Sequence, residues 1–169
     1  MNCPIGELCA IEEGYVGAQS PGRVQDNERM ARAAIDPIHF NPKSGQVKVA
    51  FIRHDDIAHG NLSVWRLGKL PAQQGEGLLN FFEERSNPDH RIDSVYAPPA
   101  SALRTLVLPE SGRGFSVIDD TQTGPNDEDV NPAHAAITLC QHKRDHGQDE
   151  VKLTFAREAL KNLFLSHPV

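Results

Sequence analysis

His134 follows directly on Asn131-Pro132-Ala133, at the point where an apolar alternation begins. An imidazole titrates close to cellular pH, so a histidine held at the mouth of a strand can take and return a proton. Upstream, Arg113 sits between Gly112 and Gly114, and the run Phe115 to Ile118 that follows ends in Asp119 and Asp120. Flanking glycines let a guanidinium approach an anion closely and bind phosphate or carboxylate through two parallel N–H bonds. An aspartate beside the histidine would orient the ring through its other nitrogen, as carboxylates do in nucleophile and metal sites. The expected catalytic residues are therefore His134 and Asp119, and the expected ligand-binding residues Arg113 and Asp120. The competing reading of His134 is a turn residue whose imidazole satisfies a buried carbonyl.

A second polar group lies in HDDIAHG, with His54, Asp55, Asp56 and His59. Imidazole and carboxylate both suit divalent transition ions. Any metal would fall to His54, Asp55 and His59. Read as a polar turn between two strands, the stretch is ordinary solvated loop. Its His-Asp pair is similar to that of helical metal-dependent phosphohydrolases, but their ligands ride on helices, so that chemistry is not carried over. Asp119, Asp120, Asp127, Glu128 and Asp129 form an acidic loop without the alternating oxygens, glycine and terminal glutamate of a calcium loop. Neither a GxSxG elbow nor a phosphate-cradling glycine loop is present. No cofactor is expected.

The elements that must position these groups follow from periodicity. Asp26 reads as a cap for a helix carrying Met30, Ala33 and Ala34, stopped at Asp36-Pro37. QVKVAFIR and LSVWRL alternate as two strands joined through HDDIAHGN in a hairpin. LPAQQGEGLLNFFEER places Leu78, Leu79 and Phe82 on one helical face, RIDSVYA is a strand, and Pro98-Pro99 opens a helix with Leu103, Leu106 and Val107. GFSVI, HAAITLCQH and EVKLTF are strands, the last two a hairpin whose tip holds His142 and His146. Ala156, Ala159, Leu160, Leu163 and Phe164 fall at helical spacing and close the fold. The pattern predicts an α+β fold: a single domain over residues 25–169, a mixed and mainly antiparallel sheet with about four packed helices. Residues 1–24, rich in small residues, are expected to form a loosely ordered arm.

The totals narrow the function classes. A chain of 169 residues holds one ordinary domain. Its formal charge of -6 disfavours a binder of nucleic-acid backbones, which needs a concentrated basic face. Cys3, Cys9 and Cys140 show no CxxC spacing, which suits reduced thiols and a cytoplasmic, soluble protein. No apolar run approaches the roughly 20 residues of a membrane span.

At NPAHAAI, taken with the order of helix, VAFIR, LSVWRL and RGFSVIDD, the chain resembles a group of small uncharacterised bacterial proteins. These share a serine-valine strand in the first half and an Asn-Pro-Ala-His segment near the end, and the likeness spans roughly residues 31 to 140. The resemblance implies a bacterial, cytosolic origin and supplies no activity. With no complete catalytic constellation, the leading expectation is a non-catalytic interaction module that binds a partner protein through the acidic loop and the hairpin tip. The alternative is a histidine-dependent hydrolase or transferase acting on a phosphorylated small molecule or nucleic-acid end, with His134 as acid or base and Arg113 as anion clamp.

Overall fold

Among the described residues five strands form: β1 (Met30–Asp36), β2 (Leu62–Arg66), β3 (Arg91–Tyr96), β4 (Phe115–Asp119) and β5 (His134–Leu139). They form one sheet in the order β3-β1-β2-β5-β4, every pair antiparallel. Among the described residues five α-helices accompany it: α1 (Ala10–Gly14), α2 (His54–Ala58), α3 (Gly75–Glu83), α4 (Ala100–Thr105) and α5 (Glu150–Leu165). The fold is α+β, as the sequence pattern predicts. The structure, a computed structural model, describes residues 10–14, 20–59, 62–109, 112–120, 131–140 and 147–169. The acidic stretch 121–130 and the hairpin-tip histidines His142 and His146 lie outside the described residues.

Successive side chains of a strand point to opposite faces, and the two apolar clusters divide accordingly. Met30, Ala34, Leu62, Val64, Val117 and Ile137 bury against Ile57 of α2, Leu103 of α4 and Leu153, Ala156, Leu160 and Phe164 of α5. Ala31, Ala33 and Trp65 take the other face with Leu78, Phe81 and Phe82 of α3. Each fully buried leucine or phenylalanine contributes about 1.5–3 kcal/mol, so α5, supplying three such residues to one face, is a principal fastening of the sheet.

Each edge of the sheet is strapped by another segment over part of its length. Outside β3, the Ala97 N–H donates to the His167 carbonyl at 2.8 Å and the Val169 N–H to the Val95 carbonyl at 3.1 Å. Outside β4, the Glu12 carboxylate accepts the Val117 N–H at 2.7 Å. An uncovered edge would present a row of unpaired backbone groups.

Several local readings are overturned. Residues expected to form the helix from Asp26 instead enter β1, which is buried on both faces at Met30, Ala31, Ala33 and Ala34. A strand sealed on both sides has no polar alternation to announce it, and the Ala33-Ala34 spacing imitates a helix. Asp26 binds the Arg104 guanidinium at 2.6 Å. QVKVAFIR is no strand: Val49–Phe51 forms a 3-10 turn that buries the adjacent Phe51 and Ile52 together. HDDIA is α2 rather than a turn, so the hairpin with LSVWRL does not form. EVKLTF is the first third of α5, begun by Asp149, whose carboxylate accepts the N–H groups of Val151 at 3.0 Å and Lys152 at 3.1 Å. The partner of β5 is therefore β4 on one side and β2 on the other.

Candidate functional site

The residues singled out by sequence are dispersed over several places. Arg113 is sealed from solvent, donating from Nε to the Phe115 carbonyl at 2.5 Å and from Nη2 to Glu12 Oε1 at 2.6 Å. Gly114 beside it is needed for space, since a Cβ there would come within 2.5 Å of Leu108 Cγ. The glycine thus serves packing against the α4–β4 connection, and the arginine fastens α1 to the start of β4. A second buried arginine, Arg104, donates to the same Glu12 oxygen at 3.0 Å and to the Val24 carbonyl at 2.8 Å. Asp120 lies at the opposite end of β4, seven residues on, which at about 3.3 Å per residue separates it from Arg113 by roughly 20 Å. Arg113 is not brought to His134.

His134 and Asp120 do meet. The ring Nδ1 lies 2.7 Å from the Asp120 carbonyl oxygen and 3.3 Å from its Oδ2. That places the proton on Nδ1, donated to the carbonyl. The buried imidazole packs edge-on against Trp65, centroids 5.2 Å apart, as its strand position opposite Trp65 in β2 requires. Asp119, the next residue back, faces the other side of the sheet, with Oδ1 3.5 Å from Nη1 of the buried Arg66. Arg66 holds Glu28 through two bonds, 2.7 Å from Nε and 2.6 Å from Nη2, and donates to the Gly22 carbonyl at 2.7 Å. These pairs fasten residues 22–28 to the sheet.

The histidines and aspartates of α2 are distributed differently. His54 is clasped by Asp55 at 3.1 Å and by Glu150 of α5 at 3.1 Å. These hydrogen bonds, from Asp55 first and Glu150 second, raise its pKa, and the same bond lowers that of Asp55. Asp56 turns to Arg32 at 3.8 Å and Arg53 at 3.9 Å. Among the described residues no group of three or more His, Cys, Asp or Glu is arranged to hold a metal ion.

Two features escaped the sequence reading. The first is the N-terminal half of α5, where Val151 and Phe155, one turn apart, are 68% and 59% exposed. Asp149 and Glu150 precede them, and the His54 bond to Glu150 brings Asp55 alongside. The second is a cleft of about 180 Å³ between β1 and β2, whose lining includes Arg32, His39, Ser63, Trp65, Phe82 and Arg85. Trp65, the only tryptophan in the chain, was the one sequence signal for it; the arginines and the histidine are too far apart in sequence to suggest a group. No family model, no curated protein and no solved structure matches this chain.

Proposed function

We propose that this chain is a non-catalytic binding module whose partner is a protein, docked on the N-terminal half of α5. The observation that carries the reading is the pair Val151 and Phe155, exposed at i and i+4 on a helix whose opposite face is fully packed. Two large apolar side chains exposed side by side on one helix face form the kind of patch that a partner covers. Asp149, Glu150 and Asp55, the last joined to Glu150 through His54, outnumber Lys152 beside the pair, and the chain as a whole carries -6. The fitting partner is therefore a segment presenting apolar side chains flanked by lysine or arginine. Charge of this kind steers approach within about 10 Å at ordinary salt.

The test compares the wild-type chain with the double variant Val151→Thr, Phe155→Ser as immobilised baits at low and high salt. Support is a protein retained by the wild type, released by salt and absent from the double variant. Identical retained sets would end the reading. Self-association of the wild type, abolished in the variant, would replace the foreign partner with a second copy of this chain.

The enzymatic alternative draws on the His134–Asp120 contact alone. It requires His134→Gln to abolish hydrolysis or transfer on a phosphorylated substrate while leaving the melting temperature unchanged. Its buried ring ranks it second.

A further inference from the structure

We propose that the cleft where β1 and β2 part is a binding site for a small organic anion, with an oxyanion head and a flat apolar body. The two strands pair only at Met30–Arg66 and Ala31–Trp65. Beyond that point they separate, and the Arg32 side chain enters the fork: Nη1 donates to the Ser63 carbonyl at 2.7 Å and Nε to the Phe51 carbonyl at 3.0 Å. A guanidinium has five N–H donors, so these two carbonyls leave three. The carboxylate closest to it in an ion pair is that of Asp56, at 3.8 Å, beyond hydrogen-bond range. The side chain is 13% exposed.

Around this cation the lining offers donors and apolar walls. His39 Nδ1 accepts the Ile35 N–H at 3.0 Å, which leaves the proton of the neutral ring on Nε2 as a donor. Arg85 also lines the cleft; 43% exposed and stacked over the Phe81 ring at 3.9 Å, it donates Nη1 to the Phe81 carbonyl at 3.0 Å and stands 3.7 Å from Glu84 Oε2, which leaves its remaining N–H groups as donors. Trp65 and Phe82 supply the flat apolar side, and no aspartate or glutamate lines the space. Two arginines whose ion-pair carboxylates, Asp56 at 3.8 Å and Glu84 at 3.7 Å, stand beyond hydrogen-bond range and outside the lining match a planar carboxylate or a phosphoryl group. About 180 Å³ corresponds to roughly six water volumes, enough for one ring and its head group and too little for a nucleotide. Burial lowers the Arg32 pKa to about 10, with Asp56 offsetting only part of the cost. An anion in the cleft would restore what burial removes. The site lies on the α3 side of the sheet and does not depend on the docking face of α5.

Because Trp65 is the sole tryptophan, its emission reports occupancy, with calorimetry as the independent measure. Full-length protein is titrated with benzoate, phenyl phosphate, the neutral isostere benzamide, and inorganic phosphate. Saturable binding of benzoate or phenyl phosphate at least tenfold tighter than benzamide and inorganic phosphate is the expected result, and the tighter of the two identifies the head group. Arg85→Gln, on an exposed side chain, is expected to weaken that binding severalfold with an unchanged melting curve, and Arg32→Lys to weaken it further. No saturable binding by any anion, benzamide matching benzoate, inorganic phosphate matching phenyl phosphate, or Arg85→Gln binding as tightly as wild type would each overturn the assignment.

Discussion

Glu12 Oε1 lies 2.6 Å from Arg113 Nη2, with both side chains sealed from solvent. The same oxygen takes Arg104 Nε at 3.0 Å and the Val117 N–H at 2.7 Å. Removing one partner from a buried ion pair leaves the other charge uncompensated, at a cost of about 3–5 kcal/mol. Glu12→Gln is therefore expected to lower unfolding free energy by about 3 kcal/mol or more in urea. Asp26→Asn, at a carboxylate 61% exposed, should cost less than about 1 kcal/mol. Equal effects would contradict the central place given to Glu12.

Phe155→Ser is expected to leave stability within about 0.5 kcal/mol of wild type, since substitutions at exposed positions seldom do more. Leu160→Ala, one turn further along α5 but buried, should cost about 2–5 kcal/mol. Thermal and urea unfolding of the pair measure the contrast, which separates binding effects of Phe155 from folding effects.

His54 sets a pH window for the α2–α5 contact. Its folded-state pKa is raised from 6.5 by Asp55 and then Glu150, so its contribution is complete below 6.5 and fades as pH climbs through the raised value. Asp55 is lowered from 3.8 by the same bond, so its contribution is present above 3.8 and fades as pH falls through the lowered value. The melting-temperature gap between wild type and His54→Gln should be open near pH 5.5 and closed near pH 9. A gap that does not change with pH would show that the clasp is not ionic.

His39 responds in the opposite sense. Burial, and after it the nearby Arg32, lowers its pKa from 6.5 to about 4, so the folded state keeps the ring neutral while the unfolded chain protonates it. Stability is complete above 6.5 and falls as pH drops towards 4, by up to about 1.4 kcal/mol per pH unit. His39→Asn, whose side-chain oxygen can still accept the Ile35 N–H, should flatten that slope in urea titrations. An unchanged slope would place the titration elsewhere.

Much of the fold was readable because β2, β3, β4 and β5 and the helices α3 and α4 each carry their own apolar pattern, although α3 starts at Gly75 rather than Pro71 and α4 ends at Thr105, leaving Val107 in solvent. What misled was local ambiguity resolved only by tertiary contacts. In β1 the two buried faces erased the alternation. In α5, Val151, Leu153 and Phe155 alternate like a strand, while the helix buries Leu153, Ala156, Leu160 and Phe164. The two residues that disguised the helix are those left in solvent as the proposed anchor. At the site, sequence nearness did bring Asp120 to His134, because β4 and β5 are neighbours. Nothing along the chain could show that Arg113 would be matched by Glu12 from 101 residues away, nor that Arg32, His39 and Arg85 would line one cleft.

The strapped margins of the sheet carry a further consequence. Shortening the chain by its last three residues would strip the straps from β3 while most of the interior stayed packed. The damaged molecule would then fail by recruiting copies of itself, strand against bare strand, into growing assemblies, well before it lost its shape.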